Sequence, residues 1–190
     1  MNKKGVVLAL LGAALVMLAA QVQASEFSAD MIQKVDGQSS TGKIYLKEGL
    51  MWYETKTPDG RVATIHRPDK NVMWVLMADE GMYMEMPYQP DPNLPQWTQT
   101  EQSRATLVGR ETISGMETKK YEMKQNGRTI TYWVNEEISF PVQVRSEDLF
   151  LQLANIEKGN VPDSLFEPPS GFEKMGMPMM NGNMGFSMPE

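Results

Sequence analysis

Few residues of this chain belong to the types that carry out catalysis. Among its 190 residues there is one histidine, His66, and no cysteine. A catalytic nucleophile needs a base within hydrogen-bond reach. His66 stands near the end of a predicted strand, beside Arg67 and Pro68, where backbone or solvent would satisfy it. No phosphate-binding loop, nucleophile elbow or zinc-protease motif occurs. The sequence therefore predicts a protein that is not an enzyme.

Three pairs of adjacent carboxylates could in principle act as acid and base. The pairs are Asp79-Glu80, Glu136-Glu137 and Glu147-Asp148. Each pair falls in a predicted turn, where side chains are usually solvated. No apolar pocket is evident around them that would raise a pKa. These pairs are therefore expected to lie at the surface.

Methionine is the one residue type here with an unusual capacity for metal binding. Zinc needs cysteine or histidine, and hard-metal loops with alternating acidic residues are absent. Thioethers are soft ligands that suit Cu(I). A cluster of them lies at the end of the chain: Met175, Met177, Met179, Met180, Met184 and Met188. Copper handling by this tail is one hypothesis, and a tail without fixed structure, or one that folds back over the domain, is the other. No cofactor is predicted.

The first 24 residues have the features of a secretory signal peptide. Two lysines follow the initial Met-Asn pair, Gly5–Ala20 carries no charge, and small residues occupy the positions that a signal peptidase reads before Ser25. The uncharged run is shorter than the roughly 20 residues of a bilayer span, although an uncleaved anchor is the alternative. Cleavage after Ala24 would give a periplasmic protein with no transmembrane segment.

The charge balance argues against two classes of partner. The whole chain has 18 basic and 24 acidic residues, and loss of Lys3 and Lys4 with the signal leaves a net charge of −8. Nucleic acids and anionic membrane surfaces attract positive charge. Neither is therefore an expected partner.

Period-2 alternation predicts that most of the chain is β-sheet. Glycine follows a polar residue at six places, and segments rich in Val, Ile, Thr, Tyr and Trp lie between these turns. Four prolines in residues 87–95 predict a loop or flap, and Gln96–Arg104 is a weak candidate helix. The predicted strands are Glu26–Val35, Thr41–Lys47, Leu50–Thr57, Arg61–Arg67, Val72–Met77, Met82–Met86, Ala105–Ile113, Glu117–Lys124, Arg128–Val134, Phe140–Arg145 and Leu149–Glu157.

These elements predict a mainly β fold: a curved antiparallel sheet of about eleven strands with very little helix. The sheet must curl in order to bury its apolar face. One domain is expected over residues 25–174. The methionine-rich tail, residues 175–190, has no period and no branched aliphatic residue, and is predicted to be disordered.

Four stretches resemble a known family. They are IHRPDKNVMWVLMADEGMYMEMP, VGRETISGMETKKYEMK, YWVNEEISFPVQV and NIEKGNVPDSLFEPPSGFEKM. Together they resemble the LolA-like periplasmic proteins, and more narrowly an uncharacterised branch beside the outer-membrane lipoprotein-sorting factors. The resemblance implies an open half-barrel whose concave face takes acyl chains under a helical lid. No latch residue can be placed on this chain, and the expected lid helices are missing.

The predicted hairpin Val72–Met86 is the centre of the functional hypothesis. Several strands are apolar on both faces, while little helix is predicted to cover them, so one face is a candidate binding trough. Which parity faces inward is left open. The trough would hold an acyl chain, a lipid or an apolar segment of an acylated or other envelope protein. The candidate residues are Trp52, Trp74, Leu76, Met82, Met84, Met86 and Trp133.

The same surface supports alternative functions. It could serve a subunit that docks into an envelope complex, or it could be a dimer interface. The first hypothesis is a non-enzymatic periplasmic carrier or sensor that binds its guest by area burial alone.

Overall fold

The computed structural model describes residues 26–57, 60–90, 94, 97–125, 127–138 and 140–176. The predicted signal peptide, residues 1–24, and residues 177–190 of the methionine-rich tail lie outside the described residues. No helix in the described part of the chain has the length and hydropathy of a membrane span.

The fold is mainly β, as predicted. A single short helix, α1 (Gln99–Arg104), and two 3₁₀ turns (Pro68–Lys70 and Asp163–Phe166) accompany twelve strands in the described residues. The strands are β1 Glu26–Val35, β2 Gln38–Lys47, β3 Leu50–Thr57, β4 Gly60–Arg67, β5 Val72–Met77, β6 Met82–Pro87, β7 Thr106–Ile113, β8 Met116–Gln125, β9 Arg128–Asn135, β10 Phe140–Arg145, β11 Leu149–Lys158 and β12 Glu173–Lys174. The eleven predicted strands correspond to β1–β11, and β12 is an addition.

All twelve strands form one open sheet in the order β12-β6-β5-β4-β3-β2-β1-β11-β10-β9-β8-β7. Every pairing is antiparallel except that of β12 with β6. Tight two-residue turns join many neighbours. In the β1–β2 turn, for example, Asp36 and Gly37 both have positive φ, as this turn type requires. The sheet is thus built mainly from local hairpins, with β1 and β11 joining its two halves.

One face of the sheet carries the main core, and the sheet bends toward that face. Met51 and Tyr53 of β3 pack on this core, and so do Ile113 and Met116 at the β7–β8 turn, six or more positions away in strand order. Register shifts in the β1–β11, β9–β10 and β7–β8 pairs assist such bending. The buried core residues are Phe27, Ala29, Met31, Ile44, Leu46, Leu94, Ile138, Phe140, Val142, Leu151 and Leu153. We call this face the concave face.

The opposite, convex face of β2–β6 is covered by residues 161–175, which we call the C-terminal segment. Val161 and Phe166 of this segment are buried against Ile65, Trp74 and Leu76. Glu173 and Lys174 then pair with the outer edge of β6 as β12. The sequence predicts too little helix to cover this face. The cover is instead the C-terminal segment, which is irregular apart from one 3₁₀ turn and β12.

The connection between β6 and β7 passes over the concave face at Leu94 and Trp97, and we call its described residues, 88–90, 94 and 97–105, the crossing connection. The strands it joins lie near one edge and at the other edge of the sheet, so this connection has to traverse it. Leu94 is buried in the main core, and Trp97 packs on Tyr121 and Tyr132 at 4.9 and 5.0 Å between ring centroids. The helix α1 follows, begun by a capping box between Thr98 and Glu101.

Candidate functional site

The candidate site lies at the β4–β6 end of the concave face. Strand register places three residues from each of these strands side by side on this face. We call the nine residues the methionine grid: Val62, Thr64, His66, Met73, Val75, Met77, Met82, Met84 and Met86. Its three rows follow directly from the pairing, as Val62–Met77–Met82, Thr64–Val75–Met84 and His66–Met73–Met86.

The hairpin turn creates the grid. Four residues, 78–81, join Met77 to Met82 and place these two methionines opposite each other. Alternation then brings every second residue of both strands to the same face. All five methionines are half-buried, and none belongs to the packed core clusters. The grid is therefore an apolar surface that is partly open to solvent.

His66 marks the inner boundary of the grid. It is 5% exposed, and its ring lies 5.6 Å from that of Tyr53 and 5.7 Å from that of Tyr88. Tyr88 is the first residue of the crossing connection. His66 is thus enclosed by aromatic rings where the grid meets the central core, and it does not stand at a solvated strand end.

Methionine is more frequent on this surface than among the buried residues of the two core clusters next to it. It supplies five of the nine grid residues, but only one of the eleven buried residues of the main concave core and none of the six buried on the convex side. β-Branched and aromatic residues suit buried strand positions at least as well as methionine does. Methionine's flexibility suits a surface that adapts to different shapes.

The predicted trough residues do not share one surface. Met82, Met84 and Met86 lie together on β6 in the methionine grid. Trp74 and Leu76 point to the convex face, where they are 7% and 4% exposed under the C-terminal segment.

Trp52 is on the convex face as well, edge-on to Tyr45 at 5.2 Å. Trp133 occupies the convex side of β9, five positions from β3 in strand order. Its indole Nε1 donates to Glu111 at 2.8 Å, and Lys120 lies 5.1 Å from its ring centroid.

Sequence reasoning missed the six grid residues on β4 and β5. Met73, Val75 and Met77 alternate with Trp74 and Leu76, and none of the three is among the predicted trough residues. The signal that identifies them is the hairpin itself. A four-residue turn that pairs Met77 with Met82 puts the odd-numbered residues of β5 opposite the even-numbered residues of β6.

A charged cluster fastens the C-terminal segment to the convex side of the sheet, opposite the methionine grid. Arg67 donates to Asp69 at 2.8 and 2.9 Å, to the carbonyl oxygen of Phe166 at 3.1 Å and to Glu167. Lys70 donates to Glu167 at 2.6 Å. Burial alone would raise the pKa of Glu167, but these donors hold that pKa below its ordinary value. The hydrogen bond from Arg67 likewise lowers the pKa of Asp69.

Carboxylates in all three predicted turns form surface ion pairs. Asp79 accepts from Arg61 at 3.1 Å, and Glu136 and Glu137 accept from Lys119 and Lys158. Arg128 forms ion pairs with Glu147 and Asp148 in the third turn.

Several shallow clefts occur elsewhere on the described part of the sheet. One of about 380 Å³ lies along β7–β9 and includes Glu111, Lys119 and Glu136 in its lining. Another of about 400 Å³ on the convex side includes Asp30, Lys43 and Asn155. Ion pairs or hydrogen bonds within the lining occupy most of these groups, as in Lys119–Glu136 and Lys43–Asp30. The lining of the first cleft is mainly charged and polar, which does not suit an apolar ligand. The second cleft combines apolar side chains such as Ile32 and Ala154 with its charged groups.

Comparison with known proteins identifies a family and a shared fold. The family described as "Domain of unknown function (DUF4412)" matches residues 28–140. No curated protein sequence matches the chain. An uncharacterized conserved protein from Thermus thermophilus is similar in structure, with a TM-score of 0.57 and 13% identity over 80% of this chain and 90% of that one.

MucB from Pseudomonas aeruginosa, solved as a complex with MucA, is also similar in structure. Its TM-score is 0.52 at 14% identity over 75% of this chain. This chain spans 56% of the length of that MucB chain. An outer membrane lipoprotein-sorting protein domain from Vibrio parahaemolyticus aligns over 75% of this chain at 9% identity, with a TM-score of 0.36. At these identities, the Thermus protein and MucB share a fold with this chain.

Proposed function

The chain belongs to the DUF4412 family, because that match covers more than half of it, and we propose that it is an exported, non-enzymatic binding protein. It holds an acyl chain, or another unbranched apolar guest, against the methionine grid. The observation that carries the proposal is the grid itself: five half-buried methionines on the concave face, outside every packed core cluster. The similarity in fold to MucB, whose complex with MucA is known, supports a binding role.

Area burial sets the expected affinity. Covering about 300 Å² of acyl surface is worth roughly 7 kcal/mol before ordering costs. This corresponds to a dissociation constant near 10 µM at best. Such an affinity suits a carrier or sensor that has to release its guest. Export to the periplasm belongs to the same proposal, and it rests on the signal-peptide pattern of residues 1–24.

A second candidate is an interaction module that docks an apolar segment of a protein partner on the same grid. The MucA–MucB complex favours this alternative, since MucB has a similar fold. Native mass spectrometry of protein purified from its own envelope separates the two functions. A co-purified lipid mass supports the acyl carrier, and a defined protein adduct without lipid supports the module.

The direct test is titration with a fluorescent fatty acid. Met84 lies in the middle row of the grid, so Met84→Asp places a carboxylate beneath the guest. Desolvating that charge costs several kcal/mol, and we expect at least tenfold weaker binding, about 1.4 kcal/mol.

Leu107→Asp is the matched control. Leu107 is 51% exposed on β7 at the far edge of the sheet, so binding should not change. Circular dichroism checks that both variants keep their fold. Equal weakening by the two variants, or no weakening by Met84→Asp, would contradict a site on the grid.

A further inference from the structure

The proposed function uses the apolar area of the grid methionines but not their sulfur. We propose that the methionine grid also binds a soft monovalent cation, Cu(I), through thioether sulfurs. The candidate ligands are Met73, Met77, Met82, Met84 and Met86. This inference does not depend on acyl binding, because a sulfur site and an apolar site need different properties of the same side chains.

Register brings the sulfurs within reach of one another. Met77 lies directly opposite Met82, and Met73 directly opposite Met86. Cβ atoms of such opposite residues are about 4.5–5.5 Å apart. Met84 is the diagonal neighbour of both β5 methionines, at about 7–8 Å. Three rotatable bonds let methionine side chains close these gaps.

Two sets of three thioethers can therefore form, and they share one member. The first is Met77, Met82 and Met84, and the second is Met73, Met84 and Met86. Met84 is common to both sets. Its sulfur is thus the one whose loss weakens every arrangement.

The chemistry of the donors selects the ion. Thioethers are soft donors that favour Cu(I), whereas carboxylates and water favour hard ions. The grid contains no Lys, Arg, Asp or Glu. Among the described residues there is also no group of three His, Asp or Glu that could hold a harder metal. A partly buried ion is costly unless nearby charges compensate its own charge, and the grid has no charged side chain to do so. A monovalent ion needs less of this compensation than a divalent ion and is therefore favoured.

One substitution separates the sulfur from the apolar area. Leucine and methionine are similar in volume and hydrophobicity, and exchanges between them usually cost less than about 1.5 kcal/mol of stability. Met→Leu in the grid should therefore preserve the surface for an apolar guest while it removes the metal ligands.

The test measures Cu(I) binding to the full chain, without oxygen, in competition with a chromophoric chelator, with Ag(I) as a redox-stable second probe. We expect binding of one ion, and X-ray absorption should show a sulfur-dominated shell. The triple variant Met77→Leu, Met82→Leu and Met84→Leu should lose at least 100-fold in affinity. Met84→Leu alone should lose about tenfold, which keeps the test usable if the triple variant does not fold.

Two control proteins locate the site. Met31→Leu with Met123→Leu changes buried methionines outside the grid and should leave the affinity unchanged. Replacing the tail residues Met177, Met179, Met180, Met184 and Met188 by leucine should also leave it unchanged. Absence of Cu(I) binding, unaltered affinity in the grid variants, or loss confined to the tail variant would overturn the proposal. Fatty-acid binding measured on the same proteins should survive the leucine changes, so failure of either proposal is visible separately.

Discussion

Replacing Leu94 by alanine tests whether the crossing connection is part of the core. Leu94 is 6% exposed and packs in the main concave cluster, although it lies in a proline-rich segment that the sequence predicts to be a loop or flap. A displaceable flap would place little of its side-chain surface in the core. A permanent part of the core would contribute as any buried leucine does.

The expected loss of stability follows from this burial. Burying a leucine side chain is worth about 1.5–3 kcal/mol, and the cavity left by truncation adds to that loss. An irregular connection can relax around the alanine, so we place the cost at the low end of the Leu→Ala range, about 2–3 kcal/mol. For a domain of this size, each kcal/mol corresponds to roughly 2–4 °C in Tm.

The assay is urea unfolding followed by tryptophan fluorescence, with Leu107→Ala as the matched variant. Leu107 is 51% exposed, so the same chemical change there should cost less than about 0.5 kcal/mol. Midpoints that shift equally for the two variants, with unchanged m-values, would refute the reasoning. The connection would then be a flap that rests on the sheet without packing into it.

Three further predictions concern the frame around the site. Phe166→Ala should lower the free energy of unfolding by about 3–5 kcal/mol in the same urea assay, because the ring is fully buried between the C-terminal segment and the convex face of the sheet. Gly42→Ala should be strongly destabilising in thermal melts, since its Cβ would lie 1.6 Å from a backbone carbonyl oxygen of β3, whereas Gly109→Ala meets nothing within 4 Å and should be tolerated. The pKa of Glu167 is held below its ordinary value of 4.5, so its contribution to stability is present at neutral pH and is lost as the pH falls through the lowered pKa. Arg67→Met should therefore flatten the dependence of Tm on pH below 4.5, and an unchanged slope would remove this explanation.

Much of the sheet could be predicted because its hairpins are local. The bounds of β1, β3, β5 and β10 agree with the predicted strands, since period-2 patterns and glycine turns are both contained in short stretches. The missed strand, β12, consists of two residues whose pairing with β6 joins positions about ninety residues apart in sequence. Nothing in the local pattern of Glu173–Lys174 signals that contact.

The site could be predicted only in part. The face that a side chain occupies depends on the strand register, and whether that face is open depends on the segments that pack over it. Alternation put Met82, Met84 and Met86 on one face, and the structure keeps them together. It could not decide whether Trp74 and Leu76 share that face, since this depends on how the hairpin turn sets the pairing. Nor could it show that an irregular C-terminal segment, and not a helix, covers Trp74. The apparent excess of apolar surface is covered by a segment whose only regular structure is one 3₁₀ turn and the two-residue strand β12.

The topology of the sheet restricts where a guest can be added. β6 and β7 lie at opposite ends of the strand order, so the connection between them must pass over the sheet, and it does so on the concave face. Its residue Leu94 occupies the centre of that face, and Trp97 occupies the β8–β9 end. On β4–β6 the convex side is already closed by the C-terminal segment. The methionine grid is thus the part of the concave face where a ligand can be covered without removing a packed core residue, which is why both binding proposals are placed there.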